Sequence, residues 1–153
     1  MKFLSILFLS FTVAVSFIAC DDEDGFSANP SLMLEFSSDT ITFDTLFTEA
    51  GSPTAGLVVR NHNGDGIRIS SVQLESGGAS GFSVLVDGQY GDYMRDLEVR
   101  AGDSIFVLTA VNLDRNNKEQ PFLVQDMLLF NLESGVQQKV LLMAYGRDVV
   151  RMR

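Results

Sequence analysis

The chain has 153 residues, 46% of them hydrophobic, with 11 basic and 20 acidic side chains for a formal charge of −9. That length fits one domain, the apolar share excludes a disordered chain, and the acidity excludes a protein that grips nucleic-acid phosphates. One Cys rules out an internal disulfide and one His rules out the usual His-rich zinc sites, while Trp is absent altogether.

In chain order, Met1-Lys2 supplies one positive charge, and Phe3–Ile18 then runs sixteen residues without another. The run ends at a small residue, Ala19, before Cys20. This is the layout of a cleaved signal peptide over residues 1–19, and it is shorter than the ~20 apolar residues a transmembrane helix needs. Phe17-Ile18-Ala19-Cys20 resembles a bacterial lipobox, with Phe17 where Leu is usual. The resemblance implies lipidation of Cys20 after cleavage ahead of it, and so a membrane partner reached through an N-terminal lipid. Several acyl chains inserted together hold a protein stably where one holds it marginally. Removing residues 1–19 also removes Lys2, leaving 10 basic against 20 acidic residues, a formal charge of −10.

Residues 20–31 read as a lipidated acidic tether. Asp21-Asp22-Glu23-Asp24 is a solvated run repelled by anionic headgroups. An acidic run directly after a lipidated Cys also resembles the surface-export signal of Bacteroidota lipoproteins, which implies the outer face of the outer membrane; a periplasm-facing orientation is the alternative. Gly25–Ser31 reads as a flexible linker.

From Leu32 the sequence alternates with period two. The inward series is Leu32, Leu34, Phe36; Ile41, Phe43; Leu57, Val59; Ile67, Ile69, Val72, Leu74; Phe82, Val84, Val86; Leu97, Val99; Ile105, Val107, Thr109, Val111, Leu113; Phe122, Val124; Met127, Leu129; and Val140, Leu142, Ala144. Turn-forming residues separate these runs: Asn61–Gly66 carries Asn-Gly and Asp-Gly and reads as a hairpin turn, and Gly77-Gly78, Asp87-Gly88, Gly91-Asp92, Ala101–Asp103 and Ser134-Gly135 mark others. No stretch after Ile18 sustains a helical stripe. The expectation is an all-β protein, a β-sandwich of about eight or nine strands over residues 32–148.

The order of the motifs supports a narrower reading. Asp39–Phe47, Gly51-Ser52, Gly56–Asn61 and Ile67–Val72, then Gly81–Val84, Arg100–Val107 and Val140–Gly146, resemble an ASH-type immunoglobulin-like domain across residues 32–148, with Ala101 where that family more often has Pro. The resemblance implies an immunoglobulin-like sandwich. The whole chain is also similar to Bacteroidota lipoproteins in which such a domain precedes a right-handed parallel β-helix. Residues 149–153 stop without a polar tail, so an alternative expectation makes the chain the N-terminal stalk of a β-helix protein that binds or degrades polysaccharide.

Candidate chemistry is sparse. Asn61–Gly66 has calcium-loop spacing at its start, but Val72 stands where the bidentate acid belongs, so no metal is expected. His62 has no nucleophile elbow to serve. Asp96 and Glu98 would share a strand face and invite comparison with glycosidase carboxylates, yet a solvated face explains them. No catalytic residue and no cofactor is expected. Tyr90 and Tyr93, placed in a Gly-Gln-Tyr-Gly-Asp-Tyr loop, are the candidates for contact with a glycan or a surface protein. Thr40, Thr45 and Ser104 each follow Asp and precede an aliphatic residue, which resembles the acceptor motif of Bacteroidota O-glycosylation. The function expected is that of a non-enzymatic, lipid-anchored surface protein presenting an immunoglobulin-like module; nothing in the residues fixes an oligomeric state.

Overall fold

The computed structural model describes residues 25–115 and 121–149. Ten strands follow in chain order: β1 (Glu35–Phe36), β2 (Thr40–Phe47), β3 (Ala55–Arg60), β4 (Ile67–Leu74), β5 (Phe82–Val86), β6 (Gln89–Gly91), β7 (Tyr93–Val99), β8 (Ser104–Val111), β9 (Phe122–Leu132) and β10 (Gln137–Arg147). They form two five-stranded sheets, ordered β1-β3-β8-β5-β6 and β2-β10-β9-β4-β7. The strand count exceeds the expected eight or nine because β1 and β6 are two and three residues long. Runs that short carry no readable alternation.

Those two short strands close the sandwich at its sides. At one side the chain leaves β1, crosses Ser37–Asp39 and enters β2 in the opposite sheet, pairing parallel with β10. At the other it leaves β6 and enters β7 across Asp92 alone. A glutamine clasps each crossing. Gln138 accepts from the Leu34 amide at 3.0 Å and donates to the Leu34 carbonyl at 2.8 Å. Gln89 treats Arg95 the same way, at 3.1 and 2.8 Å. A primary amide side chain sets an N–H donor beside a carbonyl acceptor in the spacing of a peptide group, so each Gln mimics a strand on an edge that would otherwise be open.

Between the sheets lies one core. Val59, Ile69, Val72, Val84, Val86, Val107, Leu128, Phe130, Val140, Leu142 and Ala144 are all fully buried. Phe36 meets Phe130 edge-on at 4.9 Å between ring centroids. The alternation read from the sequence holds along most strands. On β4 it breaks at Ser70, where a bulge lies against β9, and on β7 it breaks opposite, at Asp96 with φ 54°. Because β4 and β7 stay in register on either side, both shift phase together, and Met94 joins the core unannounced.

Three expectations need correction. On β9 the residues of the core are Leu128, Phe130 and Leu132, while Met127 is only half-buried and Leu129, though buried, lies outside the core cluster, so the Met127/Leu129 phase is wrong. The inward position that displaced that reading is Asp126, a buried carboxylate. Asn61–Gly66 is not a hairpin turn, since β3 and β4 belong to different sheets and the segment is a corner between them. Gly25–Ser31 is no free linker: the Gly66 amide donates to the Gly25 carbonyl at 2.8 Å, and the Ser27 amide donates to the Gly66 carbonyl at 2.9 Å.

The strand directions give the body two poles. Phe26, the Asn61–Gly66 corner, Arg100–Asp103 and the β9–β10 turn share one end, here the near pole. The Thr48–Thr54 and Glu75–Gly81 loops, Asp92 and Asn112 share the other, the far pole.

Candidate contact surface

The outward side of sheet β1-β3-β8-β5-β6 carries apolar groups where alternation leads one to expect polar ones. Cross-strand pairing sets Gly56, Leu108, Leu85 and Tyr90 in one row across four strands, with Val58 and Phe106 in the next. Tyr90 is 74% exposed, Phe106 63% and Leu108 39%. The row is flat because Gly56 has no side chain. A Cβ there would fall 2.8 Å from a Leu108 methyl and 2.5 Å from the Val107 carbonyl oxygen.

Two shallow depressions flank this row. One, of about 210 Å³, is lined by Thr54, Ser83, Leu85, Tyr90, Leu108 and Ala110 among others. The second, of about 220 Å³, lies between Leu85, Asp87, Ser104, Phe106 and Leu108. Exposed aromatic and aliphatic surface beside hydroxyls suits contact with a flat, partly apolar partner face.

The structure separates the two tyrosines. Tyr90 sits on β6, paired with Leu85, while Tyr93 opens β7 in the opposite sheet, paired with Gln73. Neither is a loop residue, and Tyr93, though 53% exposed, does not line the depression beside Tyr90. Phe106 and Leu108 were missed, although the signal was present. If Ile105, Val107 and Thr109 face inward, Phe106 and Leu108 must face out.

The three modification candidates sit on strands. Thr40 opens β2, its hydroxyl donating to Asp39 at 3.0 Å, and Thr45 lies exposed further along that strand. Ser104 opens β8, half-buried. At Thr45 and Ser104 the preceding Asp accepts the residue's own amide, at 2.8 and 2.7 Å, which gives each Asp a local structural role. Cys20 lies outside the described residues.

The remaining candidates are paired off. His62 Nε2 lies 3.1 Å from Glu35, both well exposed. Glu98 is held by Arg68 at 3.1 Å, with Glu133 on the far side at 3.9 Å. Arg68, Asp96, Glu98 and Glu133 line a depression of about 170 Å³ in which the cation faces carboxylates that could otherwise serve as an acid and a base. Among the described residues, no three His, Cys, Asp or Glu side chains converge as a metal set. Nor is any helix there long and apolar enough to cross a membrane.

Two buried polar residues organise the corners, and neither was singled out by the sequence. Asn61 donates through Nδ2 to the carbonyls of Asp65 and Val99 at 2.8 and 3.0 Å, and its Oδ1 accepts from Asn63. Asp126 accepts from the hydroxyls of Ser76 and Ser80, each at 2.5 Å, and from the amides of Ser76 and Met127.

Solved structures share this arrangement. A family 123 glycoside hydrolase from Clostridium perfringens superposes with a TM-score of 0.54 at 8% identity, over 78% of this chain and 28% of its own. The periplasmic chaperone SfaE superposes with a TM-score of 0.50 at 8% identity, over 78% of this chain and 61% of its own. The fold is immunoglobulin-like. An ASH/PapD-like domain of human CEP192 also matches, with a TM-score of 0.46 at 13% identity, over 76% of this chain and 87% of its own. The chain thus spans less than two thirds of the hydrolase and of the chaperone, and at such identities the likeness is one of fold. No protein-family model matches the sequence, and no curated protein matches it.

Proposed function

We propose that the chain is a non-enzymatic, lipid-anchored surface module that meets a glycan or a protein through the outward side of sheet β1-β3-β8-β5-β6. The observation that carries this reading is the pairing of Tyr90, 74% exposed, with an apolar row on the outward side of that sheet. Exposed aromatics of this size are costly to leave in water and are favoured where a partner covers them. The lipobox-like Cys20 and the acids after it support an outward-facing position on the outer membrane.

Two experiments test the two halves. Labelled palmitate should enter the protein, and Cys20→Ala should release it from sedimented envelopes; an unlabelled protein that still sediments would remove the anchor. A glycan array probed with the mature protein should give reproducible binding that Tyr90→Ala and Phe106→Ala abolish and Tyr93→Ala leaves standing. Silence on the array, with pull-down of no surface protein, would remove the contact surface. Thr40, Thr45 and Ser104 are proposed as glycan acceptors in the same envelope, tested by a mass shift lost on Thr→Ala or Ser→Ala substitution.

A further inference from the structure

We infer that the N-terminal segment docked through Phe26 acts as an orienting strap, holding the near pole toward the membrane and presenting the far pole to a partner arriving from outside. The inference rests on lipid attachment at Cys20.

The dock is specific. Gly25–Ser27 lies beside Gly66 as a short parallel bridge, with the two backbone hydrogen bonds described above. The Phe26 ring covers Gly66 so closely that a Cβ there would come within 2.7 Å of two ring carbons. Arg68 closes the other side, its guanidinium carbon 4.5 Å from the ring centroid. Beyond Phe26 the chain is tied to the body again at Met33, whose carbonyl accepts from Asn63 at 2.9 Å. The segment from Gly25 to Met33 is therefore part of the near pole.

Geometry then decides the orientation. Six residues separate Cys20 from Phe26 and span at most about 20 Å, whereas twelve residues from Cys20 to Leu32 would span about 40 Å. The eleven-residue strand β9 makes the body about 35 Å from pole to pole. A tether of about 40 Å lets the body turn upside down and press its far pole on the bilayer; one of about 20 Å does not reach. Docking Phe26 removes the inverted pose. Tyr93, at the start of β7, then stands at the end away from the lipid, with Tyr90, level with Leu108, midway along the body.

Two glycines provide label sites, since Gly64 at the near pole and Gly51 at the far pole have nothing within 4 Å of a built Cβ. With Cys20 carrying lipid, Gly64→Cys or Gly51→Cys provides the single free thiol for a donor dye. The lipidated protein is placed in phosphatidylcholine vesicles containing an acceptor-labelled headgroup. Energy transfer should be several-fold stronger from residue 64 than from residue 51, and Phe26→Ala or Gly66→Ala should narrow the gap. Equal transfer from both sites, or a gap that neither substitution changes, overturns the strap. A protein that takes up no palmitate and binds no vesicle overturns the anchor, and the orientation with it. Slow amide exchange at Ser27 and Gly66 in that same protein, lost in Phe26→Ala, distinguishes a docked segment without a lipid from no dock at all.

Discussion

Strand β4 enters and leaves its sheet through two corners, and each corner hangs on one buried polar side chain. Before β4, the Asn61–Gly66 corner is tied by Asn61, 1% exposed. After it, the Glu75–Gly81 corner is tied by Asp126, 6% exposed. One tie is a neutral amide and the other a carboxylate, and the difference follows from what each must hold. The Asn61 Nδ2 faces two carbonyl oxygens, which only accept, so its group must donate. Asp126 faces two hydroxyls and two amides, all able to donate, so its group must accept. Each corner selects the residue that leaves no buried group unpaired.

The largest effect should come from exchanging the two chemistries at the first corner. Asn61→Asp sets a buried carboxylate against the carbonyls of Asp65 and Val99, and should cost about 4 kcal/mol in urea unfolding at neutral pH. Asn61→Ala leaves the same carbonyls unpaired without adding charge, and should cost about 3 kcal/mol. A smaller loss from Asp than from Ala would break the argument that donation is what this corner requires.

At the second corner the order of the corresponding two substitutions should reverse, with alanine costing more than the amide–carboxylate swap. Asp126→Ala strands the Ser76 and Met127 amides along with two serine hydroxyls that can turn toward water, and should cost about 2 kcal/mol. Asp126→Asn keeps an oxygen for the Ser76 and Met127 amides. Its nitrogen can donate to hydroxyls that rotate to accept, so the loss should be about 1 kcal/mol or less. The amide–carboxylate swap is thus tolerated at residue 126 and not at residue 61. Equal losses from Asn61→Asp and Asp126→Asn would erase the distinction.

These corners also mark where reading the sequence stopped working. The sandwich itself was legible because Ile67-Arg-Ile, Phe82-Ser-Val and Leu97-Glu-Val alternate apolar with polar residues. The Asp87-Gly88 turn was legible too, since both residues take positive φ and join β5 to β6 as a two-residue hairpin. Asn61 was hidden inside Asn-His-Asn-Gly-Asp-Gly, where turn chemistry accounts for every residue and nothing marks one of them as buried. Asp126 was worse than hidden. A carboxylate at an inward position contradicts the pattern rule, so the alternation of β9 was read one residue out of step from there on. The apolar row through Leu108 and Tyr90 could be read in part, because outward apolar residues on β8 follow from the inward ones. That β5, β6 and β3 would bring Leu85, Tyr90 and Gly56 into line with it depends on pairing between distant segments, which no local pattern carries.

The smallest effects separate the corners by where their partners come from. At the first, the partners of the Asn61 Nδ2 are backbone carbonyls, and its Oδ1 is met by the Asn63 backbone amide at 3.0 Å as well as by the Asn63 side chain at 2.7 Å. Asn63→Ala removes the side-chain share together with the hydrogen bond to the Met33 carbonyl, and should still cost only about 1 kcal/mol, because the tie survives on main-chain groups that any residue would supply. At the second corner half of the partners are side-chain hydroxyls. Ser80→Ala should therefore cost about 1 kcal/mol, and in a double-mutant cycle with Asp126→Ala the two losses should fall short of adding. Thermal unfolding of the four proteins reads this directly. Full additivity would mean that Ser80 stabilises its loop without Asp126, and the second corner would then lack the tie that makes it comparable with the first.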